Sequence, residues 1–293
     1  MFLTTCGNSQ KLAQELARKL HAPYSPLTIS SFPDGDLYLK YNRAVKGKKV
    51  VIVHSFQPNP NDSFLKVLFA AETAQDLGAK KVILVAPYLA YIRQDKRFHP
   101  GEAVSSRILG KHLSRCVDKV ISIDPHLHRY RLLQEIFSVP GAALTSNDLI
   151  TEYIQKHFPQ AVLVGPDRES SQWAGKIARA IGTESTIFEK TRYHSRKVRV
   201  KMVKPIPLEG KQVVIVDDII STGYTLIEAA KEAYHHGAKE VIAIAVHGIF
   251  AEKAWPKLRK AGIRRIITAN TINHPTNRID VTPLLVRELR KER

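Results

Sequence analysis

The chain has 293 residues, 44% of them hydrophobic and 25% charged, enough apolar material for one large or two modest domains with a substantial core. No apolar run reaches the length of a membrane span, the N-terminal residues lack a secretory pattern, and two cysteines, Cys6 and Cys116, are too few for a disulfide framework, so a cytoplasmic protein is expected. Forty-five Lys and Arg against 27 Asp and Glu give a net charge of +18, which points to anionic partners, either nucleic acid or polyphosphorylated small molecules.

Hydrophobic periodicity predicts strands at residues 1–4, 37–41, 50–54, 82–86, 120–123, 161–164, 213–216, 241–246 and 265–269. Helical patterns fall at 9–20, 63–77, 103–113, 148–157, 171–181, 225–236, 252–261 and 283–290. Short β-branched runs alternating with helices predict an α/β fold of mainly parallel sheets flanked by helices. In such sheets ligands bind beyond the carboxyl ends of the strands, so the residues that follow each strand carry the functional reading.

Two stretches repeat. Gly47, Lys48, Lys49, Val50, Val51, Ile52 and Val53 parallel Gly210, Lys211, Gln212, Val213, Val214, Ile215 and Val216. Each is followed by a helix and then by a second block that opens Gly, Ala, Lys, at Gly78 and at Gly237. The chain therefore reads as two βαβ-built halves related by duplication, residues 1–143 and 144–293, with the boundary in 139–143. The copies differ at the strand end. The first continues into His54, Ser55 and a loop whose Pro58 and Pro60 withhold backbone N–H groups. The second continues into Asp217 and Asp218, then Ser221, Thr222, Gly223, Tyr224 and Thr225 and a helix start.

A small hydroxyl-rich turn at a helix N-terminus gathers N–H groups and the positive end of a helix dipole at one point, which suits a phosphate monoester. Asp217 and Asp218 have the wrong sign for that phosphate and are placed to accept hydrogen bonds from sugar hydroxyls or to hold a cation. An acidic pair at a strand end also fits a solvated turn with a helix cap. After strand 82–86, Tyr88 and Tyr91 offer flat faces and Arg93, Gln94, Lys96 and Arg97 offer donors; this suits a purine and a polyphosphate, or equally a basic surface loop. Asp124, His126 and His128 follow strand 120–123, and Asp167 follows strand 161–164. Residues 189–204 are the most basic part of the chain. In an extended strand Lys190 and Arg192 share one side, two cations able to close over a phosphate chain, although basic hairpins also bind nucleic acid or simply face water. Phe32, Pro33, Asp34, Gly35 and Asp36 read as a hairpin turn.

The ordered string from Asp217 to Thr225 resembles the phosphoribosyl pyrophosphate loop shared by phosphoribosyltransferases and phosphoribosyl pyrophosphate synthetases, with Tyr224 where many members have a second glycine. Five further segments resemble the synthetase family and follow its order: 32–36; Tyr91, Arg93, Gln94, Asp95 and Lys96; Asp124 with His126; Asp167; and Lys190 with Arg192. The resemblance covers nearly the whole chain. It implies two duplicated phosphoribosyltransferase-like (Rossmann-like) domains, the N-terminal one on the ATP side with a degenerate phosphate loop, the C-terminal one with the ribose 5-phosphate loop and a catalytic flap. The implied reaction moves the β,γ-diphosphoryl group of ATP to the 1-hydroxyl of ribose 5-phosphate and releases AMP, with Mg²⁺ as cofactor and no need of nucleic acid.

By the same resemblance ATP would meet Arg93, Gln94 and His126, together with Phe32, Asp34 and Asp36 of a neighbouring subunit, which implies a homo-oligomer of at least two chains. Ribose 5-phosphate would meet Asp167, Asp217, Asp218, Ser221, Thr222, Gly223, Tyr224 and Thr225. Mg²⁺ would sit near His126 and Asp167, and Lys190 and Arg192 would be catalytic, while His128 receives no role. A phosphoribosyltransferase would share residues 217–225 but leaves 91–96 and the Lys190/Arg192 pair unexplained. A non-catalytic phosphoribosyl pyrophosphate-binding regulator leaves His126, Asp167, Lys190 and Arg192 without purpose.

Overall fold

The computed structural model describes residues 1–167, 171–194, 197–203 and 205–292, at the level of the backbone alone for 171, 172, 189–194 and 197–201. The chain forms two compact units and passes between them more than once: residues 1–145, 271–273 and those from 281 onward form the first, and residues 146–270 and 274–280 the second.

The first unit opens with β1 (Phe2–Thr4), α1 (Gln10–Lys19), β2 (Thr28–Ser31), β3 (Leu37–Lys40), β4 (Lys49–Val53), α2 (Pro60–Asp76), β5 (Lys81–Ala86), α3 (Ser105–Cys116), β6 (Lys119–Ile123) and β7 (Gly141–Leu144). Five of its strands make one parallel sheet in the order β1-β4-β5-β6-β7. Val50 to Val53 and Val82 to Ala86 are wholly buried, which is why these strands read as unbroken apolar runs and not as alternating ones. Pro60 starts α2, where its missing N–H costs nothing, and the helix buries Ser63, Val67, Ala70, Ala71 and Ala74 at helical spacing. β2 and β3 form a separate antiparallel hairpin whose exposed tip is residues 32–36.

The second unit contains α4 (Asn147–His157), β8 (Val162–Gly165), α5 (Ser171–Ile181), β9 (Ser185–His194), β10 (Lys197–Met202), β11 (Gln212–Ile220), α6 (Tyr224–His235), β12 (Glu240–Gly248), α7 (Ala254–Lys260), β13 (Ile263–Ala269) and β14 (Asn277–Ile279). Its seven-stranded sheet runs β10-β9-β8-β11-β12-β13-β14, parallel except for the β9/β10 hairpin. The repeated sequence blocks fold alike: β4, α2 and β5 in the first unit, β11, α6 and β12 in the second, each strand pair parallel. α6 turns Leu226, Ala229, Ala230 and Ala233 into the core beside Val213, Ile215 and Val241.

The last helix, α8 (Thr282–Arg290), belongs to the first unit and packs on α1 and β7. Residues 139–143 read from sequence as the boundary segment; Gly141 to Leu144 form the edge strand β7, paired with β6. Its Gly-Ala-Ala-Leu run has no β-branched residue to announce a strand. Likewise β2 is mostly polar and exposed and β14 is three residues long, so neither carries a periodic signal. No helix among the described residues is long and apolar enough to cross a membrane.

At the carboxyl end of β4 the loop of the first copy is tied to the connection between β1 and α1. Asn8 Nδ2 donates to Ser55 O at 3.1 Å and Ser63 Oγ at 3.0 Å and lies 3.4 Å from His54 Nε2, while Ser55 N donates to Ser9 Oγ at 2.8 Å. His54 is fully buried, and burial, with help from the Lys66 charge, pushes its pKa down to about 3. A histidine neutral in the fold but able to protonate when unfolded makes acid favour unfolding. Its contribution is intact above its unfolded pKa near 6.5 and is lost as pH falls from there toward 3, by up to about 1.4 kcal/mol per pH unit. Urea unfolding from pH 7 to 4 should therefore show a shallower loss of stability in His54→Gln than in the wild type; equal slopes would assign the acid sensitivity elsewhere.

Candidate active site

In the second unit β11 does not stop before its acids, as the sequence suggests, but runs through Asp217 and Asp218 to Ile220, pairing Asp217 with Ala245 and Ile220 with Gly248 of β12. Asp218 N donates to Asp217 Oδ1 at 2.9 Å. Burial first, then the charges of Asp218 and Asp167, push the Asp217 carboxyl well above the usual carboxylate range. β8, which pairs with β11, ends at Gly165 and leads to Asp167, so three of the expected sugar- and metal-side acids converge at the carboxyl ends of adjacent strands. Arg168 and Glu169, beyond Asp167, lie outside the described residues.

Past Ile220 the chain turns through Ser221 and Thr222 to Gly223, which caps α6 in the left-handed region at φ 75°. The positive end of α6 thus opens on residues 221–225. A Cβ on Gly223 would lie 3.1 Å from Leu258 Cγ in a backbone conformation that costs a side chain about 1–2 kcal/mol. Gly223→Ala should therefore destabilise the second unit by about 1–2 kcal/mol, read by urea denaturation, and an unchanged midpoint would contradict it.

In the first unit, the loop after β5 carries Tyr91, Arg93 and Gln94, and the loop after β6 carries Asp124, His126 and His128. Ile123 N donates to Pro87 O at 3.4 Å, so the two loops leave the sheet side by side. Tyr91 and Asp124 both sit at positive φ, 66° and 36°, and the Tyr91 hydroxyl donates to Asn61 Oδ1 at the start of α2. Strained residues of this kind collect where a fold holds side chains for use. His126 Nδ1 and His128 Nε2 lie 2.8 Å apart, a pairing that ties together the two ring nitrogens of neighbouring imidazoles and gives His128 a structural partner that sequence reasoning did not supply. Arg93 is exposed and Gln94 half-buried, its Oε1 accepting from Ser105 Oγ at 3.1 Å.

The tip of the β2/β3 hairpin presents Phe32, Asp34 and Asp36 to solvent. Phe32 N donates to Asp36 O at 2.8 Å, Gly35 N donates to Phe32 O at 2.9 Å, and Phe32 meets Tyr38 edge-on at 5.8 Å. Lys190 and Arg192 lie on β9, opposite Val200 and Val198 of β10; their side chains lie outside the described residues.

Asp218 of the second unit and His126 and His128 of the first each carry a ligand atom able to hold a metal ion. The crowding of Asp217 by two other carboxylates is the arrangement that a hard, oxygen-seeking cation relieves.

A parallel sheet with an acidic strand end and a hydroxyl-rich turn at a helix N-terminus, in a chain that has a second parallel sheet built on the same repeat without that turn, defines a duplicated phosphoribosyltransferase-type protein. Residues 1–116 match the family model of the N-terminal domain of ribose phosphate pyrophosphokinase, and residues 133–281 match that of the phosphoribosyl transferase domain. The chain is 33% identical to a ribose-phosphate pyrophosphokinase of Sulfurisphaera tokodaii, over 94% of this chain and 96% of that one. It is 34% identical to one from Methanothermobacter thermautotrophicus, over 96% of each. The crystal structure of phosphoribosylpyrophosphate synthetase from Mycobacterium smegmatis matches with a TM-score of 0.87 at 27% identity, covering 99% of this chain and 98% of that one. The chain belongs to the ribose-phosphate pyrophosphokinase family.

Proposed function

We infer that the chain transfers the β,γ-diphosphoryl group of ATP to the 1-hydroxyl of ribose 5-phosphate, giving 5-phospho-α-D-ribose 1-diphosphate and AMP. The observation that carries the reading is the strand, acidic pair, turn and helix start from Val213 to Thr225, present in a chain whose first unit keeps the same repeat without the loop.

The second unit, on this reading, is the sugar side. Residues 221–225 take the 5-phosphate through backbone N–H groups, hydroxyls and the α6 dipole, and Asp217 and Asp218 accept from the ribose hydroxyls. The first unit is the ATP side, where Arg93 and Gln94 donate to the nucleotide and His126 lies near its phosphates. Asp167 and His126 would hold Mg²⁺, which when bound neutralises phosphate charge and lowers the pKa of the attacking hydroxyl. Joining two polyanions demands charge neutralisation and in-line positioning more than covalent catalysis, and Lys190 and Arg192 on β9 supply two further positive charges for the group in flight. The exposed tip at Phe32, Asp34 and Asp36 suits completion of the ATP site of a second copy, which makes the working enzyme a homo-oligomer.

The test is ³¹P NMR of the purified protein with ATP, Mg²⁺ and ribose 5-phosphate. AMP and a sugar 1-diphosphate should appear together and only when the sugar is present. Saturable ribose 5-phosphate binding without turnover would move the function to a binding or regulatory protein.

A further inference from the structure

The loops that carry Arg93, Gln94 and His126 are joined by a contact that the proposed chemistry leaves unused. Asp95 follows Gln94 directly, and its side chain is 1% exposed. Arg129 lies three residues beyond His126 on the other loop; its Nη1 donates to Asp95 Oδ1 at 2.8 Å and Oδ2 at 3.0 Å. Tyr130 adds a second tie, its hydroxyl donating to Asp95 O at 3.2 Å and lying 3.1 Å from Ser106 Oγ in the first turn of α3. Ser106 N in turn donates to Gln94 O at 3.3 Å. Phe98 closes the outside, with the Arg129 guanidinium 5.5 Å and the Lys96 ammonium 5.2 Å from its ring centre.

A carboxylate buried to this degree is costly, and an apolar side chain of the same size would stabilise a loop at least as well. What the charged pair adds is a geometric demand: Asp95 must meet the one guanidinium that reaches it, and that fixes the loop after β5 against the loop after β6. Arg129 is 47% exposed, so its contribution lies in the grip on Asp95 and not in filling the core.

We propose that Arg129 is a positioning residue for the nucleotide side, latching Asp95 so that Arg93 and Gln94 stand in fixed relation to His126 before ATP arrives. The proposal rests on the reading of those three residues as ATP-binding. Donors set in advance lose no ordering entropy when the polyphosphate binds, and small misplacements of such groups are expensive.

Three variants separate this role from simple loop stability: Arg129→Met, Arg129→Lys, and Arg129→Met combined with Asp95→Asn, in which the stranded buried charge is gone. In Arg129→Met, kcat/KM for ATP should fall roughly 10- to 100-fold, with the calorimetric Kd for ribose 5-phosphate changing less than about twofold. Arg129→Lys should recover part of the loss. The double variant should regain thermal stability and keep the weak ATP binding. A double variant that regains both, or an equal loss for ATP and ribose 5-phosphate, would overturn the proposal. If the wild-type protein makes no sugar diphosphate, the proposed function fails. Comparing the calorimetric Kd of wild type and Arg129→Met for ATP then still decides on the latch, an unchanged value refuting it.

Discussion

Replacing Lys190 and Arg192 together by alanine is expected to lower turnover by roughly 10³-fold or more while ribose 5-phosphate still binds. The substrates bring a triphosphate and a sugar phosphate into one site, and the group that moves carries negative charge from donor to acceptor. On the proposed reading the two cations serve that charge only while it is in flight, so their loss should appear in kcat and spare the affinity for the sugar, whose proposed phosphate turn lies on another element, at the β11/α6 junction. Both positions belong to β9, two residues apart and paired with β10, so the hairpin backbone has no need of either side chain to form its ladder. Single-turnover mixing of enzyme, Mg²⁺, ATP and labelled ribose 5-phosphate reads the chemical step, and titration calorimetry reads sugar binding. Turnover within about tenfold of the wild type would remove both residues from the catalytic step.

The second large effect falls on stability. Lys119, at the first position of β6, donates from Nζ to Glu288 at 2.6 Å and to Glu292 at 2.8 Å, and Lys81, at the first position of β5, reaches Glu292 at 2.6 Å. The side chains of Lys119, Glu288 and Glu292 are only 12%, 7% and 12% exposed. Burial alone would raise both carboxyl pKa values, but hydrogen bonds from Lys119 to each, from Lys291 to Glu288 and from Lys81 to Glu292 hold them below the usual carboxylate range. Lys119 is held above its ordinary value by the same bonds against the opposing effect of its own burial.

Lys119→Met leaves Glu288 with Lys291 and Glu292 with Lys81 as remaining partners, so it removes one charged hydrogen bond from each carboxylate and should cost about 1–3 kcal/mol. The sign with pH follows from the lowered acids: the clamp contributes fully above the unfolded carboxylate pKa near 4.5 and is lost as pH falls through the lower folded values. Urea denaturation of Lys119→Met beside Lys119→Met/Glu288→Gln would check it. The double variant should recover part of the loss, and a single-variant change below about 1 kcal/mol would show the clamp to be superficial.

The features that sequence revealed are those whose physics is local. Buried parallel strands must be apolar throughout, so the runs at Val50 and Val213 announced themselves, and their shared flanking residues exposed the duplication. The acidic strand end, the hydroxyl-rich turn and the helix start lie within a few residues of one another, so Asp217 to Thr225 was legible as a structural unit. Other features depend on partners far along the chain. Asp95 and Arg129 are 34 residues apart, and nothing in either neighbourhood marks them as a pair. Asp217 looked like a residue beyond the strand because the β-branched run stops at Val216, whereas pairing with Ala245 on β12 keeps it inside. β7 and the return of α8 to the first unit are fixed by what they pack against, and their own residues carry no trace of it.

That return has a consequence for how the protein is made. Synthesis runs from the N-terminus, so every strand of the first sheet and every residue of the second unit is made before Glu288 and Glu292. Until then Lys119 and Lys81 have no counter-charge from α8, and the first unit lacks the helix that packs on α1 and β7. The second unit ends at residue 280, so the half translated first receives its last helix only after the other half has been made.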